Sequence, residues 1–324
     1  MKLRKPAALK RNETIAVLAP SSPVEPERLR QGMRELEAIG YHVVLGRTVF
    51  ARRGFFAGEH QQRAEEFLAF VEDPKVRAIF CARGGYGSNY VVEALSSRAL
   101  LPRLKRQPPK IVMGYSDVTS LLLFLQQTLG WVTFQGPMVA REFCDGEIGY
   151  NRLVMERVLS QAATGCTVES GGWSLQPGVA EGRLLGGCLP MLTATLGTPQ
   201  EVDTRGAILL LEDIDERPFR IDRLLFHLRR AGKFRGIRGV IFGQMPGCGQ
   251  MSPPGEALRE VIAEAFANLS IPIVFGLPFG HASGKSLTLP LGVRARLSAG
   301  DRVELDLLEP AVIAPAKKPR RRNR

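Results

Sequence analysis

Apolar runs of four to six residues alternate with longer amphipathic stretches through the first 145 residues of the chain. "TIAVLAPSSPV" reads as a buried strand followed by a turn. "EPERLRQGMRELEAIG" places Leu29, Met33, Leu36 and Ile39 on one helical face, and Gly40 stops it. The same alternation continues through the strand "YHVVLG", the helix "EHQQRAEEFLAFVED" and the strand "VRAIFCARGG". It ends with the helix "NYVVEALS", the strand "KIVMG" and the helix "SDVTSLLLFLQQTLG". Short apolar strands separated by helices predict a parallel, doubly wound α/β sheet. In such sheets the functional loops lie at the carboxyl ends of the strands.

The pattern weakens between residues 146 and 180, where "ATGCTVESGGWSLQPGVAEG" is rich in Gly, Ser and Thr, as a connection between domains is. Strands "GAILLLED", "GVIFGQ" and "PIVFGLPFGH" then alternate with helices "FRIDRLLFHLRRAG" and "GEALREVIAEAFANL". The segments "VRARLSAG" and "RVELDLL" predict a terminal hairpin. The expected organisation is an α/β domain over 12–145, a linker over 146–180 and a smaller mixed α/β domain over 181–312. Basic disordered ends are expected at 1–11 and 313–324.

Charge enters the picture through its location. Of the net +12, residues 1–11 hold +5 and residues 317–324 hold +6, leaving +1 for everything between. A nearly neutral body disfavours nucleic acid as the main partner and leaves only loose tail electrostatics. No apolar run reaches the roughly 20 residues of a membrane helix, and Ile15 to Ala19 is too short for a signal-peptide core. A cytoplasmic location is therefore expected. Five cysteines without a C-x-x-C pair and four histidines argue against a disulfide framework and against a zinc site.

Four strand ends carry the chemistry. Ser116 in "KIVMGYSDV" lies where a strand turns sharply into a helix. That is the logic of a nucleophile elbow, although "GYSDV" has only the first glycine of G-x-S-x-G. Helix capping by Ser116 or Asp117 is the alternative. "CARGGYG" sets Arg83, Gly84 and Gly85 at another strand end. The spacing fits no dinucleotide or Walker pattern but suits a backbone oxyanion donor. "LLLEDIDERPFR" ends a strand in Glu212, Asp213, Asp215 and Glu216. One of these could orient a histidine, or the group could hold a divalent cation, or it could pair with Arg217, Arg220 and Arg223. His281 follows a strand directly and is the histidine best placed as a general base. His42, His60 and His227 sit inside or at the start of regular elements.

Together, "GYSDVTSLL", "ARGGYG", "LLEDIDERPFRIDRLL" and "GHASGKSLTLPLG" resemble the LD-carboxypeptidase family of serine peptidases. That family includes murein tetrapeptide carboxypeptidases and microcin C immunity peptidases. The resemblance runs from "IAVLAPSSPV" through the terminal hairpin. It implies a Rossmann-like amino-terminal domain bearing the serine and a smaller carboxy-terminal domain, with a barrel-like sheet, bearing the acid and the histidine. It implies a Ser-His-Glu triad without metal or cofactor: Ser116 as nucleophile, His281 as base and Glu212 as its orienting acid. Asp117 and Gly85 are the implied oxyanion donors, with Gly84 as the alternative for the second. Arg83 and Gly84 become candidate substrate contacts. The implied partners are a murein peptide, cleaved to release terminal D-alanine, and a second copy of the chain in a homodimer. A toxin-immunity peptidase would need an aromatic side chain to stack on a nucleobase, and Trp173 is the evident candidate. A non-catalytic two-domain peptide-binding protein and a metal-dependent hydrolase using residues 212–216 are the other classes open at this point.

Overall fold

The computed structural model describes residues 3–162, 166–169, 171–249 and 256–314. The first part of the chain runs β1 (Thr14–Leu18), α1 (Pro26–Ile39), β2 (His42–Leu45), α2 (His60–Glu72), β3 (Val76–Cys81) and α3 (Ser88–Leu95). It continues with α4 (Leu101–Arg106), β4 (Ile111–Gly114), α5 (Thr119–Leu129) and β5 (Thr133–Gln135). Strands β1 to β5 are all parallel and stand in the order β5-β4-β3-β1-β2. The strand order reverses between β1 and β3, which makes their carboxyl ends the topological switch point, where such sheets bind ligands. Helix α1 forms because its apolar face is spaced for it. Leu29, Leu36 and Ile39 are buried, Glu25 caps the first turn through the N–H groups of Glu27 and Arg28, and Gly40 closes the helix with φ 108°.

The second part contains α6 (Arg152–Ser160), β6 (Cys166–Glu169), β7 (Trp173–Gln176), β8 (Gly178–Cys188), α7 (Leu189–Ala194), β9 (Ala207–Glu212) and α8 (Pro218–Arg230). Then come β10 (Gly239–Gly243), α9 (Glu256–Phe266), β11 (Ile273–Leu277), β12 (Leu289–Leu291), β13 (Arg294–Ala299) and β14 (Val303–Leu307). The second sheet has the order β6-β14-β13-β8-β9-β10-β11-β7. Its centre, β8 to β11, is parallel and its flanks are antiparallel. Strand β9 is buried on both faces, which accounts for its unbroken apolar run. Ile208 and Leu210 face the core shared with the first sheet. Leu209 and Leu211 face the core under α7, α8 and α9.

Three expectations are corrected. Residues 1–11 are not a disordered arm in their described part. Leu9 is fully buried, Lys5 pairs with Glu309, Ala8 N–H donates to the Ile313 carbonyl, and Arg4 bridges to Trp131. Apolar Ala7, Ala8 and Leu9 outweigh the neighbouring charges, whose heads reach carboxylates or carbonyls at the rim. Residues 146–180 are more than a linker, since α6, β6 and β7 lie within them and the two strands edge the second sheet. Residues 181–312 do not form a unit confined to one sheet. Strand β12 crosses over and pairs antiparallel with β5, extending the first sheet. One continuous core spans both sheets as a result. The basic stretch 317–324 lies outside the described residues.

Candidate active site

Ser116 follows the carboxyl end of β4 at φ 62°, a conformation that side chains other than glycine seldom adopt. A short 3-10 turn, Ser116–Val118, leads from it into α5. The turn is tight because Gly114 has no side chain. A Cβ there would stand 2.9 Å from Val118 Cγ1 and 3.1 Å from Cys81 Cβ. Ser116 is half-buried between fully buried neighbours, so the strained residue holds its hydroxyl at the surface of the cleft.

Asp117 does not cap α5. Its carboxylate turns inward, 3% exposed, and accepts from Ser21 Oγ at 2.5 Å and from Ser88 N–H at 2.8 Å. The Asp117 carbonyl accepts from Ser88 Oγ as well, so the loops after β1 and β3 are tied beneath the serine turn. Gly84 closes in from the β3 loop. A Cβ on it would lie 2.9 Å from Ser116 Cβ, 3.1 Å from Ser116 Oγ and 3.4 Å from Asp117 N. Only glycine permits that approach of backbone to the serine side chain. Gly85, at φ 113°, packs its α-carbon against Ser22. The Gly84–Gly85 peptide therefore passes beside Ser116. Arg83 is half-buried and donates to the Pro23 carbonyl at 3.3 Å.

Sequence reasoning missed Arg63. It is 1% exposed, and its guanidinium donates to the carbonyls of Pro20, Ser21 and Gly87, the same loops that hold Asp117. Burial lowers its pKa to about 10, while the Asp117 carboxylate pulls in the opposite direction. The signal was present in α2, where Arg63 occupies an apolar-face position with Ala64, Phe67, Leu68 and Val71.

The second sheet contributes the other two side chains. Glu212 ends β9 at 1% exposure. His281 follows the turn after β11. Glu212 Oε2 accepts from His281 Nδ1 at 2.6 Å and from His281 backbone N–H at 3.0 Å. A carboxylate acceptor fixes the proton on Nδ1 and leaves Nε2 as the reactive nitrogen. Burial opposes protonation of this imidazole, and Glu212, with Asp213 behind it, more than offsets the burial. The His281 pKa therefore lies above its ordinary value. The contact needs Gly280, at φ 66°, because a Cβ there would overlap the Glu212 carboxyl group.

The other acids of the 212–216 segment disperse. Asp213 accepts from Ile214 N–H at 2.9 Å, and burial raises its pKa to about 6. Glu216 pairs with Arg220 at 2.9 Å. Among the described residues no three or more metal-type side chains converge anywhere.

The two halves meet at Tyr115, the residue before Ser116. Its ring meets the His281 imidazole edge-on at 5.0 Å, and its hydroxyl donates to the buried Glu142 carboxylate at 2.6 Å. No hydrogen bond joins Ser116 Oγ to the imidazole among the described residues. Such bonds are commonly long before substrate binds.

These features define a two-sheet α/β protein of the hydrolase type, with a strained serine turn on one sheet facing a carboxylate-held imidazole on the other. Residues 15–136 match the LD-carboxypeptidase N-terminal domain, and residues 181–297 match the LD-carboxypeptidase C-terminal domain. The chain belongs to the LD-carboxypeptidase family and is a peptidase. It is 34% identical over 301 residues to the "probable murein peptide carboxypeptidase" of Bacillus subtilis, covering 92% of each chain. It is 38% identical over 318 residues to the "putative carboxypeptidase" SCO6489 of Streptomyces coelicolor, covering 97% of this chain and 99% of that one. The solved structure of the microcin C7 self-immunity protein MccF superposes with a TM-score of 0.85 at 24% identity, covering 95% of this chain and 99% of that chain. The mixed α/β architecture is thus shared with that structure. No helix among the described residues is long and apolar enough to cross a membrane.

Proposed function

We propose that the chain is a serine LD-carboxypeptidase that releases the terminal D-alanine of murein tetrapeptide. The observation that supports this most is the Glu212–His281 pair facing the strained Ser116 turn across the junction of the two sheets. In this mechanism His281 Nε2 takes the Ser116 proton while Oγ attacks the carbonyl of the L-centre. The oxyanion rests on the N–H groups of Asp117 and Gly85, each contributing about 3 kcal/mol. His281 then returns the proton to the leaving amine, and water, activated in turn by His281, releases the peptide from Ser116. The site lies between a domain of residues 12–145, which β12 extends, and the domain of the second sheet. A cytoplasmic location and a homodimer belong to the same proposal. The test is incubation with L-Ala-γ-D-Glu-meso-diaminopimelate-D-Ala. Free D-alanine and the tripeptide are expected in equal amounts, unaffected by a chelator. Release that stops on chelation would point instead to metal-dependent hydrolysis.

A second activity is favoured by one observation. Trp173 is 54% exposed, lies against Phe275 at 5.1 Å and offers a face on which a nucleobase could stack. Cleavage of an aminoacyl sulfamoyl adenosine, lost in Trp173→Ala while D-alanine release persists, would establish it.

A further inference from the structure

One stretch of chain reaches both the serine turn and the imidazole. Tyr115, one residue before Ser116, is fully buried. Its hydroxyl donates at 2.6 Å to Glu142, whose second oxygen accepts from Met138 N–H at 3.0 Å. The segment carrying Glu142 is fastened to the first sheet, with Val139 N–H donating to the Cys81 carbonyl at 3.1 Å and Ala140 N–H to the Ala82 carbonyl at 2.8 Å. Farther on, the same segment grips the loop that follows His281. Lys285 N–H donates to the Ile148 carbonyl at 2.8 Å, and Ser286 N–H to the Gly149 carbonyl at 2.9 Å. Residues 138–149 thus fix the phenol beside Ser116 and the loop behind His281.

The bonds to Glu212 do not by themselves aim the imidazole. They hold His281 Nδ1 and the His281 backbone N–H. Nε2 lies across the ring and is free to swing about those contacts. The Tyr115 ring limits the swing, because it stands at 88° to the imidazole with the ring centroids 5.0 Å apart. A phenylalanine would supply the same wall. The hydroxyl adds a tether to Glu142, which requires a buried carboxylate. Such a pair adds little to stability, since two well-packed apolar side chains serve about as well. What the pair holds in place explains it better.

We propose that Tyr115, tethered by Glu142, is a positioning residue of the reaction: its ring sets the plane of the His281 imidazole so that Nε2 faces Ser116. The assignment rests on the serine-peptidase mechanism above, in which Nε2 takes the Ser116 proton. That transfer needs a close, aligned approach, and a misplacement of about 1 Å lowers the rate by about 100-fold. Tyr115 acts through His281 and touches neither the substrate nor the proton in transfer.

The test measures D-alanine release and melting temperature in the full-length protein and three variants. Tyr115→Phe keeps the wall and loses the tether. Its kcat is expected to fall about tenfold, with KM changed less than about threefold. Tyr115→Leu loses both, and its kcat is expected to fall about 100-fold. The acidic limb of kcat/KM should stay in place in Tyr115→Phe, since Glu212 and Asp213 still act on the charge of the imidazole. Tyr115→Phe also leaves Glu142 without its side-chain donor, so the melting temperature should fall. Tyr115→Phe/Glu142→Gln removes the unmatched charge, and the amide oxygen still accepts from Met138 N–H. Its melting temperature should return toward wild type while kcat stays at the Tyr115→Phe level. Recovery of kcat together with the melting temperature would make Tyr115 a structural residue only and overturn the proposal. A shifted acidic limb, or a kcat within about threefold of wild type in both Tyr115→Phe and Tyr115→Leu, would overturn it as well. If Tyr115→Leu does not fold, Tyr115→Phe and the double variant decide the question. Each of these failures leaves the peptidase mechanism intact. A wild type that releases no D-alanine overturns that mechanism and the proposal with it.

Discussion

Ser116→Ala is expected to slow D-alanine release by at least about 10⁴-fold, because the base and the oxyanion donors are left without a nucleophile. Stability should change by less than about 1 kcal/mol, since the side chain is half-buried and alanine meets the same backbone strain at φ 62°. Binding of uncleaved tetrapeptide should persist, as no contact to the substrate body is removed. A protein that only binds peptides would behave differently. It would show no wild-type release, and its peptide affinity would not depend on Ser116. Release assays and calorimetric titration on the wild type and Ser116→Ala separate the two cases.

Glu212→Gln has the second largest expected effect, about 10³ to 10⁴-fold in kcat, because the amide can hold the imidazole in the wrong tautomer and cannot stabilise the imidazolium. The pH profile gives this prediction a second readout. A general base acts in its neutral form. In the wild type the His281 pKa is raised, so the acidic limb of kcat/KM should lie above 6.5, the ordinary histidine value. With the Glu212 charge removed, burial, the largest influence on the imidazole, favours the neutral form against the remaining pull of Asp213. The limb of Glu212→Gln should therefore move to lower pH even as the rate falls. Asp213→Asn and Glu216→Gln are expected to keep activity within about tenfold of wild type, since neither side chain bonds to His281. A large loss in Asp213→Asn with activity retained in Glu212→Gln would reassign the acid.

Much of this architecture was readable from the residues in order. Strands β1, β3 and β4 are apolar runs with turn residues at their ends, and burial on both faces leaves little freedom in how such runs are used. The four strand-end motifs stood out because small and polar residues interrupt apolar sequence where a folded chain would expose them. Gly84 and Gly280 illustrate how spacing becomes geometry, since each leaves room for a neighbouring side chain, Ser116 or Glu212, where a Cβ would collide.

Other features were hidden because their cause lies far away in the chain. Strand β12 is three residues long and carries no alternation of its own. Its partner is β5, more than 150 residues earlier. The amino terminus reads as a charged arm, yet Leu9 and Ala8 find a pocket that only the folded core supplies. Arg63 was visible as a charge on an apolar helix face, but the three carbonyls that justify it come from two separate loops. The residues alone left four carboxylates within five positions open, and the resemblance pointed to Glu212; in the fold it is Glu212 that bonds to His281, at 2.6 Å.

The claim that everything above depends on is that Ser116, His281 and Glu212 act as one unit. The most direct measurement is the double variant Ser116→Ala/Glu212→Gln, assayed for D-alanine release beside the two single variants. Members of one catalytic unit are strongly non-additive. The double variant is expected to be no slower than Ser116→Ala alone. Losses that multiply, with the double variant slower than Ser116→Ala by the full factor seen for Glu212→Gln, would show that the two residues work independently and contradict the triad.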